Sequence, residues 1–530
     1  MREVFNALNR AYQNNEFVHI IQKHNYFPKY SKWIFTFLFL IFSIVYNYQD
    51  ILFKSPQSIH QWRQCDCLSI TMNYYQDNNP FFEPSIHNLV RDETGKTVSD
   101  FPLIYYSIAE LWKVFGHHEF IYRLIVLLFF FTSLFALFKI FENTLKDSIL
   151  AITSTLFLFT SPTLVYYANN FLNDIPAFSL AIIGLYFFFR YRQSSANKHL
   201  YLFAFFYAIA GLLKISSLLS FIAIVGLFVL ELFNVKLDPE KKIFQHPLKQ
   251  IFVFISVLMV QIIWYMYAHN YNAKYNSGIF LIGILPIWDI NISEIKITLD
   301  AISEHIKWDY FRKETQIVFV LMFVFVLAFY KRMNKLMFLL TIITSIGFLS
   351  YILLFFQALK DHDYYTINLF ILIPIVILGY LLLLKDKFNL IYTSVLFRII
   401  VIAFLIHNID FARRRIEGRY SPEGWQNKNY IENIQSFKEI SSYLRSIGIK
   451  KDDRVISLSD NSINISLYLM NQKGWTNFGI SADSIKIRDK INHGAKYLFI
   501  YNKEIYKEQS IQSFIGNKIG EFKNIDIYAL

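Results

Sequence analysis

Cysteine, glycine, proline and charged residues are all scarce in this chain of 530 residues. The two cysteines, Cys65 and Cys67, cannot build a disulfide framework, and residues two apart have the wrong geometry to bridge each other. Glycine (17) and proline (12) reach less than half of their usual share, which excludes collagen-like repeats and low-complexity linkers. Charged residues make up 17%, well below the globular norm, which argues against an ordinary soluble enzyme. What fills the space is apolar: 54% of residues are hydrophobic and 18% aromatic. The net charge of +12 sits in short clusters between apolar runs, the distribution of membrane proteins rather than of nucleic-acid binders.

A membrane span needs about 20 largely apolar residues. Eleven runs qualify: 33–46, 120–141, 149–166, 174–189, 200–215, 217–233, 251–267, 316–330, 336–356, 366–384 and 390–406. The first follows a basic, amphipathic leader (1–32) and no small-residue cleavage site trails it, so it reads as a retained anchor. With the N-terminus inside, the internal segments carry nineteen Lys and Arg, whereas the short external loops carry only Lys214 and Lys360. Positive charge resists translocation, so this asymmetry predicts an external C-terminus.

The polar segments 47–119, 269–314 and 408–530 then all fall outside, flanking a membrane domain of 33–407. The last reads as a small α/β domain: helix 434–447, strand 454–458, helix 463–470, strand 475–480, helix 484–492, strand 497–501. The run Arg413-Arg414-Arg415 before it suits an interfacial anchor at lipid headgroups better than a phosphate contact.

Chemistry-bearing residues gather in the first external loop and at the external ends of spans. Asp66 lies one helical turn after Arg63, so the two can pair on a helix, and composition favours a surface pair on an interfacial helix. Cys65, Cys67 and His60 lack zinc-ligand spacing. Asp174 opens the fourth span, Lys214 closes the fifth, and Asp361-His362-Asp363-Tyr364-Tyr365 precedes the tenth. Ionisable groups at such depth are costly unless they pair or line a cavity, which makes each a functional candidate. Asp174 also suits a helix N-cap, with Pro176 in the first turn.

These residues form a pattern. His60-Gln61-Trp62-Arg63-Gln64-Cys65-Asp66, Asp100-Phe101-Pro102-Leu103, Gly116 with Glu119-Phe120-Ile121-Tyr122-Arg123, Tyr166-Tyr167, Asn173-Asp174-Ile175-Pro176, Gly211-Leu212-Leu213-Lys214 and His362-Asp363-Tyr364-Tyr365 follow one another across 57–374. In this order and placement the set resembles the C-type (GT-C) membrane glycosyltransferases, in particular the group of the protein O-mannosyltransferases and the aminoarabinose transferase that modifies lipid A. The resemblance implies an α-helical polytopic membrane protein of about eleven transmembrane helices with a small external α/β domain. It also implies an inverting transfer of a sugar from a polyprenyl-phosphate donor to an acceptor hydroxyl at the outer face. Two departures stand out: Arg63 occupies the place of an acidic pair in the aminoarabinose group, and Phe101 that of a lysine beside the second acid.

Such a transfer needs a carboxylate to take the acceptor proton, a role that falls to Asp66, with Asp100 orienting the acceptor or supporting a cation. The leaving phosphate needs cations and hydrogen-bond donors, for which Lys214, His362, Tyr365 and Arg63 are candidates, with Asp174 holding Lys214 or Arg63. No obligatory cofactor or metal is expected, although Asp66 and Asp100 could bind a divalent cation. The expected partners are the lipid-linked sugar, a lipid, glycan or protein acceptor and the membrane, with no nucleic acid. A groove for the lipid chain fits 370–380, although plain lipid contact is the better reading of that stretch. Asn-, Ile-, Lys- and Tyr-rich usage suggests an AT-rich bacterial genome, hence an inner membrane with the external side as periplasm. A transporter of lipid-linked saccharides is the main alternative, and it needs neither the long first loop nor the external acids. A domain that merely binds glycan or protein is the third reading.

Overall fold

A computed structural model describes residues 27–530 except 92, 281, 282, 481 and 482. The leader expected over 1–32 therefore lies almost wholly outside the described residues. All eleven apolar runs are helical, and seven helices among the described residues are long and apolar enough to cross a membrane. The chain is a multi-pass membrane protein. The other four runs are the helix Phe27–Val45, the shorter helices Asn197–Leu213 and Lys313–Ala328, and a run broken into pieces. The break has a local cause: Ser161 caps a new helix, Pro162–Ala168, whose first residue is a proline that cannot extend the preceding turn.

Helices Asp174–Ser194 and Asn197–Leu213 form an antiparallel pair at close approach. A Cβ on Gly184 would lie 2.7 Å from the Tyr207 ring, so only glycine fits this seam. The last membrane helix does not end near His407 but runs unbroken from Val395 to Tyr420. Its far half stays helical because Arg413 and Arg414 pair with Asp410 and Glu417 one turn away. These internal pairs, with Arg415 on Asp309 at 2.5 Å, leave the arginine run engaged with protein acids.

Beyond Tyr420 lies a five-stranded sheet of β1 (Arg454–Leu458), β2 (Gly474–Thr476), β3 (Ala495–Ile500), β4 (Lys518–Phe522) and β5 (Ile525–Ala529), in the order β2-β1-β3-β5-β4. The first three are parallel, and β5 and β4 add an antiparallel hairpin. The strand expected over 475–480 stops at Thr476 and turns into the helix Asn477–Ile480. The Asn477 N–H donates to the Asp460 carbonyl (2.9 Å) and its side chain accepts from the Ser459 N–H (2.8 Å), which bends the chain away from the sheet. Strand alternation sends Ile456, Leu458, Leu498 and Ile500 to one apolar cluster with Trp475 and Ile487, while Val455, Phe499, Ile525 and Ile527 join the main core.

The sheet is bound to the first loop. Asn88 bridges Gly474 in parallel along the outer edge of β2, the Trp475 indole donates to the Val90 carbonyl (3.1 Å), and Tyr468 donates to Glu119 (2.7 Å). A Cβ at Gly474 would sit 1.8 Å from the Val455 carbonyl oxygen. Gly474→Ala is therefore expected to cost at least about 3 kcal/mol, read as a lowered unfolding temperature in detergent. An unchanged temperature would show that the strand can slide.

Candidate active site

The helix Gln61–Asp77 is not the surface helix its composition suggests: Gln64 to Tyr74 are buried without a break, between the helix Leu103–Phe115 and the C-terminal-domain helix Ile465–Met470. Its entry is fixed by Gln64, whose amide donates to the carbonyls of Gln57 (2.9 Å) and Ile59 (3.0 Å) and to the Tyr166 hydroxyl (3.0 Å). His60, just before the helix, holds a left-handed backbone (φ 55°). Such conformations in a bulky residue persist only where the surroundings over-determine them, often beside functional sites. The buried Arg123 braces the same region, donating to the carbonyls of Lys54 and Asn169.

The helix opens one side of a cavity of about 910 Å³. Asp66, Asp100, Arg63, Lys214, His362 and Tyr365 all line it, although they come from four separate stretches of chain. The loop before Leu103–Phe115 brings Asp100, the C-terminal end of Asn197–Leu213 brings Lys214, and the turn before Asp363 brings His362. Asp174, in the first turn of its helix, stands behind Lys214 at 3.4 Å. Asn173 takes the N-cap position expected for Asp174, and its side chain makes no cap hydrogen bond.

Arg63 does not pair with Asp66. It forms an ion pair with Asp100, which also accepts from the Tyr105 hydroxyl at 3.2 Å, and its guanidinium lies 5.2 Å from the Phe280 ring. Asp100 thus supports a cation. Asp66 instead accepts a hydrogen bond from the Asn464 side chain (2.8 Å) in the C-terminal domain. Burial pushes the Asp66 carboxyl up to about 6, against the pull of Arg63 and of that hydrogen bond. It is a carboxylate at neutral pH, yet basic enough to take a proton.

Lys214 places its ammonium 5.0 Å from the Tyr365 ring and 5.7 Å from that of Tyr364. His362 is held down to about 4, chiefly by burial and then by His60, which stacks on it at 5.7 Å and 9°. A ring held that low brings no charge to the cavity, and its buried Nδ1 has no hydrogen-bond partner among the described residues.

Behind the cavity lies a second polar layer, in which the sequence motifs include His60 and Asp363 but not Arg419 or Asp309. His60 meets Asp363 at 3.1 Å, Asp363 accepts from Tyr167 (2.5 Å) and Arg419 (3.3 Å), and Arg419 reaches Asp309 at 3.2 Å. Arg419 repeats Arg415 after one helical turn, a spacing that could have flagged it. Cys65 and Cys67 are free and buried, and burial raises both thiols, Cys67 to about 12. Among the described residues no three His, Cys, Asp or Glu side chains converge as metal ligands.

A bundle of membrane helices, long loops gathered over one end of it and an appended α/β domain, with acids and bases converging between them, define the GT-C fold of membrane glycosyltransferases. Comparison with known proteins agrees. The family model of dolichyl-phosphate-mannose-protein mannosyltransferases matches residues 99–269, about a third of the chain. ArnT from Cupriavidus metallidurans, solved bound to undecaprenyl phosphate, is similar over 93% of this chain and 97% of its own, with 9% identity and a TM-score of 0.60. Its apo structure matches over the same shares with 11% identity and a TM-score of 0.60. The Archaeoglobus fulgidus oligosaccharyltransferase, tethered to an acceptor peptide, is similar over 90% of this chain and 70% of its own, with 10% identity and a TM-score of 0.50. No curated protein sequence matches. The family resemblance drawn from the motifs is borne out, and at these identities the structural likeness establishes the fold.

Proposed function

We propose that the protein is an inverting glycosyltransferase that moves a sugar from a polyprenyl-phosphate donor to an acceptor hydroxyl. The observation that carries this reading is the convergence of Asp66, Asp100, Arg63, Lys214, His362 and Tyr365 on one cavity of a GT-C fold. Supporting it, ArnT of Cupriavidus metallidurans was solved with undecaprenyl phosphate. The side facing the cavity is external, as the Lys and Arg asymmetry expects, and the Asn-, Ile-, Lys- and Tyr-rich usage makes the membrane a bacterial inner membrane, with residues 408–530 in the periplasm.

In this mechanism the acceptor oxygen attacks the anomeric carbon from the side opposite the phosphate, and Asp66 takes its proton as the new bond forms. The bond from the anomeric carbon to the phosphate oxygen breaks, and its electron pair leaves with the phosphate. Lys214 supplies positive charge there, steadied by Asp174, while Tyr365 and the neutral His362 offer hydrogen bonds. Arg63, held by Asp100, adds a second cation beside Asp66. Together these residues bring two cations and two hydrogen-bond donors to the leaving phosphate.

The test is release of free polyprenyl phosphate by the reconstituted full chain, using a panel of polyprenyl-phosphate sugars and a crude envelope acceptor. Coupled release and acceptor glycosylation is the expected result. Lipid-linked sugar that crosses the bilayer unaltered would replace this reading with transport. Because the base must be ionised, kcat/KM is expected to climb with pH through about 6, where burial has placed Asp66. A profile flat from about pH 5 to 8 would remove Asp66 from the role.

A further inference from the structure

The side chain that touches Asp66 belongs neither to its own helix nor to the membrane bundle. Asn464 lies 398 positions away, ahead of the helix Ile465–Met470, and is fully buried. The orientation of its amide is set by a group that admits no ambiguity. The backbone N–H of Asn88 can only donate, and it reaches the Asn464 Oδ1 at 3.0 Å, with the Ser69 hydroxyl at 3.4 Å on the same oxygen. The Nδ2 end must therefore face Asp66, where it donates to Oδ1. Asn88 is itself fixed, its side-chain amide donating to the Ile463 carbonyl (2.9 Å) and to Thr476 (3.3 Å). Ser69 is fixed by His87, whose ring nitrogen and backbone N–H both lie 2.8 Å from its oxygen.

We propose that Asn464 is a positioning residue for catalysis: the C-terminal domain uses it to clamp one carboxylate oxygen of Asp66, leaving the other to receive the acceptor proton. This inference rests on the glycosyltransferase reading above and deepens it, because the C-terminal domain becomes part of the active site rather than an appendage. A clamped carboxylate presents one lone-pair direction to the acceptor, which is what a near-attack geometry demands.

The groups around Asp66 define the test. Arg63, Cys65 and Cys67 share its helix, Asp460 faces it from the C-terminal domain, and Asp100 with Tyr105 lies beyond Arg63. Glu119, bonded to Tyr468, lies beyond Cys65. Only Asn464 donates a hydrogen bond to Asp66 among the described contacts. Asn464→Asp preserves shape and the acceptor that holds Asn88 but replaces the donor with an acid, and Asn464→Ala deletes the donor.

The experiment is the pH profile of kcat/KM for the reconstituted full chain, wild type against both variants, with Asp66→Asn alongside. The expected result is an acid limb displaced upward by at least about one pH unit in Asn464→Asp, a loss of roughly fivefold or more near pH 6 that recovers near pH 9, with a smaller displacement in Asn464→Ala. A fall in activity by one factor at every pH, with the limb unmoved, would reduce Asn464 to a packing residue and overturn the inference. If the aspartate variant does not fold, the limb of Asn464→Ala decides alone. Asp66→Asn that stays active would overturn the base assignment and this inference with it. Asp66→Asn that is dead beside an unmoved limb would overturn this inference alone.

Discussion

Asp66→Asn is expected to lower turnover of a polyprenyl-phosphate sugar by roughly 10²–10⁴-fold, the usual contribution of a positioned general base, while the protein stays folded. The variant is isosteric, and its amide oxygen can still accept from Asn464. Burial of a neutral amide is easier than burial of a charge, so thermal stability should hold or rise. Donor binding should persist too, because Lys214, His362 and Tyr365 are untouched. The measurement pairs single-turnover transfer with binding of the unreactive lipid phosphate. Lost transfer with retained binding assigns Asp66 to the chemical step. Activity within tenfold of wild type would move the base to Asp100, and the pairing of Asp100 with Arg63 would then have to open on substrate binding.

Lys214→Met should be the most damaging single change to the cavity, in stability as well as in turnover. It removes the ammonium that faces Asp174, a residue 2% exposed, and breaking a buried pair from one side typically costs about 3–5 kcal/mol. Turnover falls in addition because the leaving phosphate loses its cation. The double variant Lys214→Met with Asp174→Asn separates the two effects. Stability returns towards wild type once the acid is neutralised, whereas transfer stays low. Transfer that returned with stability would show that Lys214 only keeps Asp174 quiet.

The two halves of this molecule were unequally legible in the sequence. Membrane helices declare themselves because hydrocarbon demands length and apolarity, and all eleven runs became helices. Their ends did not. Hydropathy falls at His407, but Arg413, Arg414, Asp410 and Glu417 pair along the surface and carry the helix on to Tyr420. That extension brings Arg419 to Asp363 and Asp309, so the second polar layer could not be seen whole from span boundaries alone.

Asp174, Lys214 and His362 stood out because charge at a span end needs a reason, and Asp66 and Asp100 because the motifs of the first external loop place them. Their pairings were not fixed by that logic: Arg63 and Asp66 share a helical turn, yet the loop at Asp100 approaches closer and takes the cation. Asn464 carried no signal, since an asparagine before a short helix is ordinary in any α/β domain. The hairpin of β4 and β5 also went unread, because its turn at Lys523-Asn524 lacks the glycine that usually marks such loops.

The bond between Asn88 and Asn464 has a consequence in time. The two residues are 376 positions apart, and a ribosome adding about 5–20 residues per second needs roughly 20–75 s to cover that span. Through that interval the first loop has already emerged with Asp66, while the strand that pairs beside Asn88 does not yet exist. A nascent or truncated chain thus holds the acid without its clamp, and the cavity wall formed by Asn429, Ile463 and Ile465 is missing. The candidate site is complete only when the last fifth of the chain has been made.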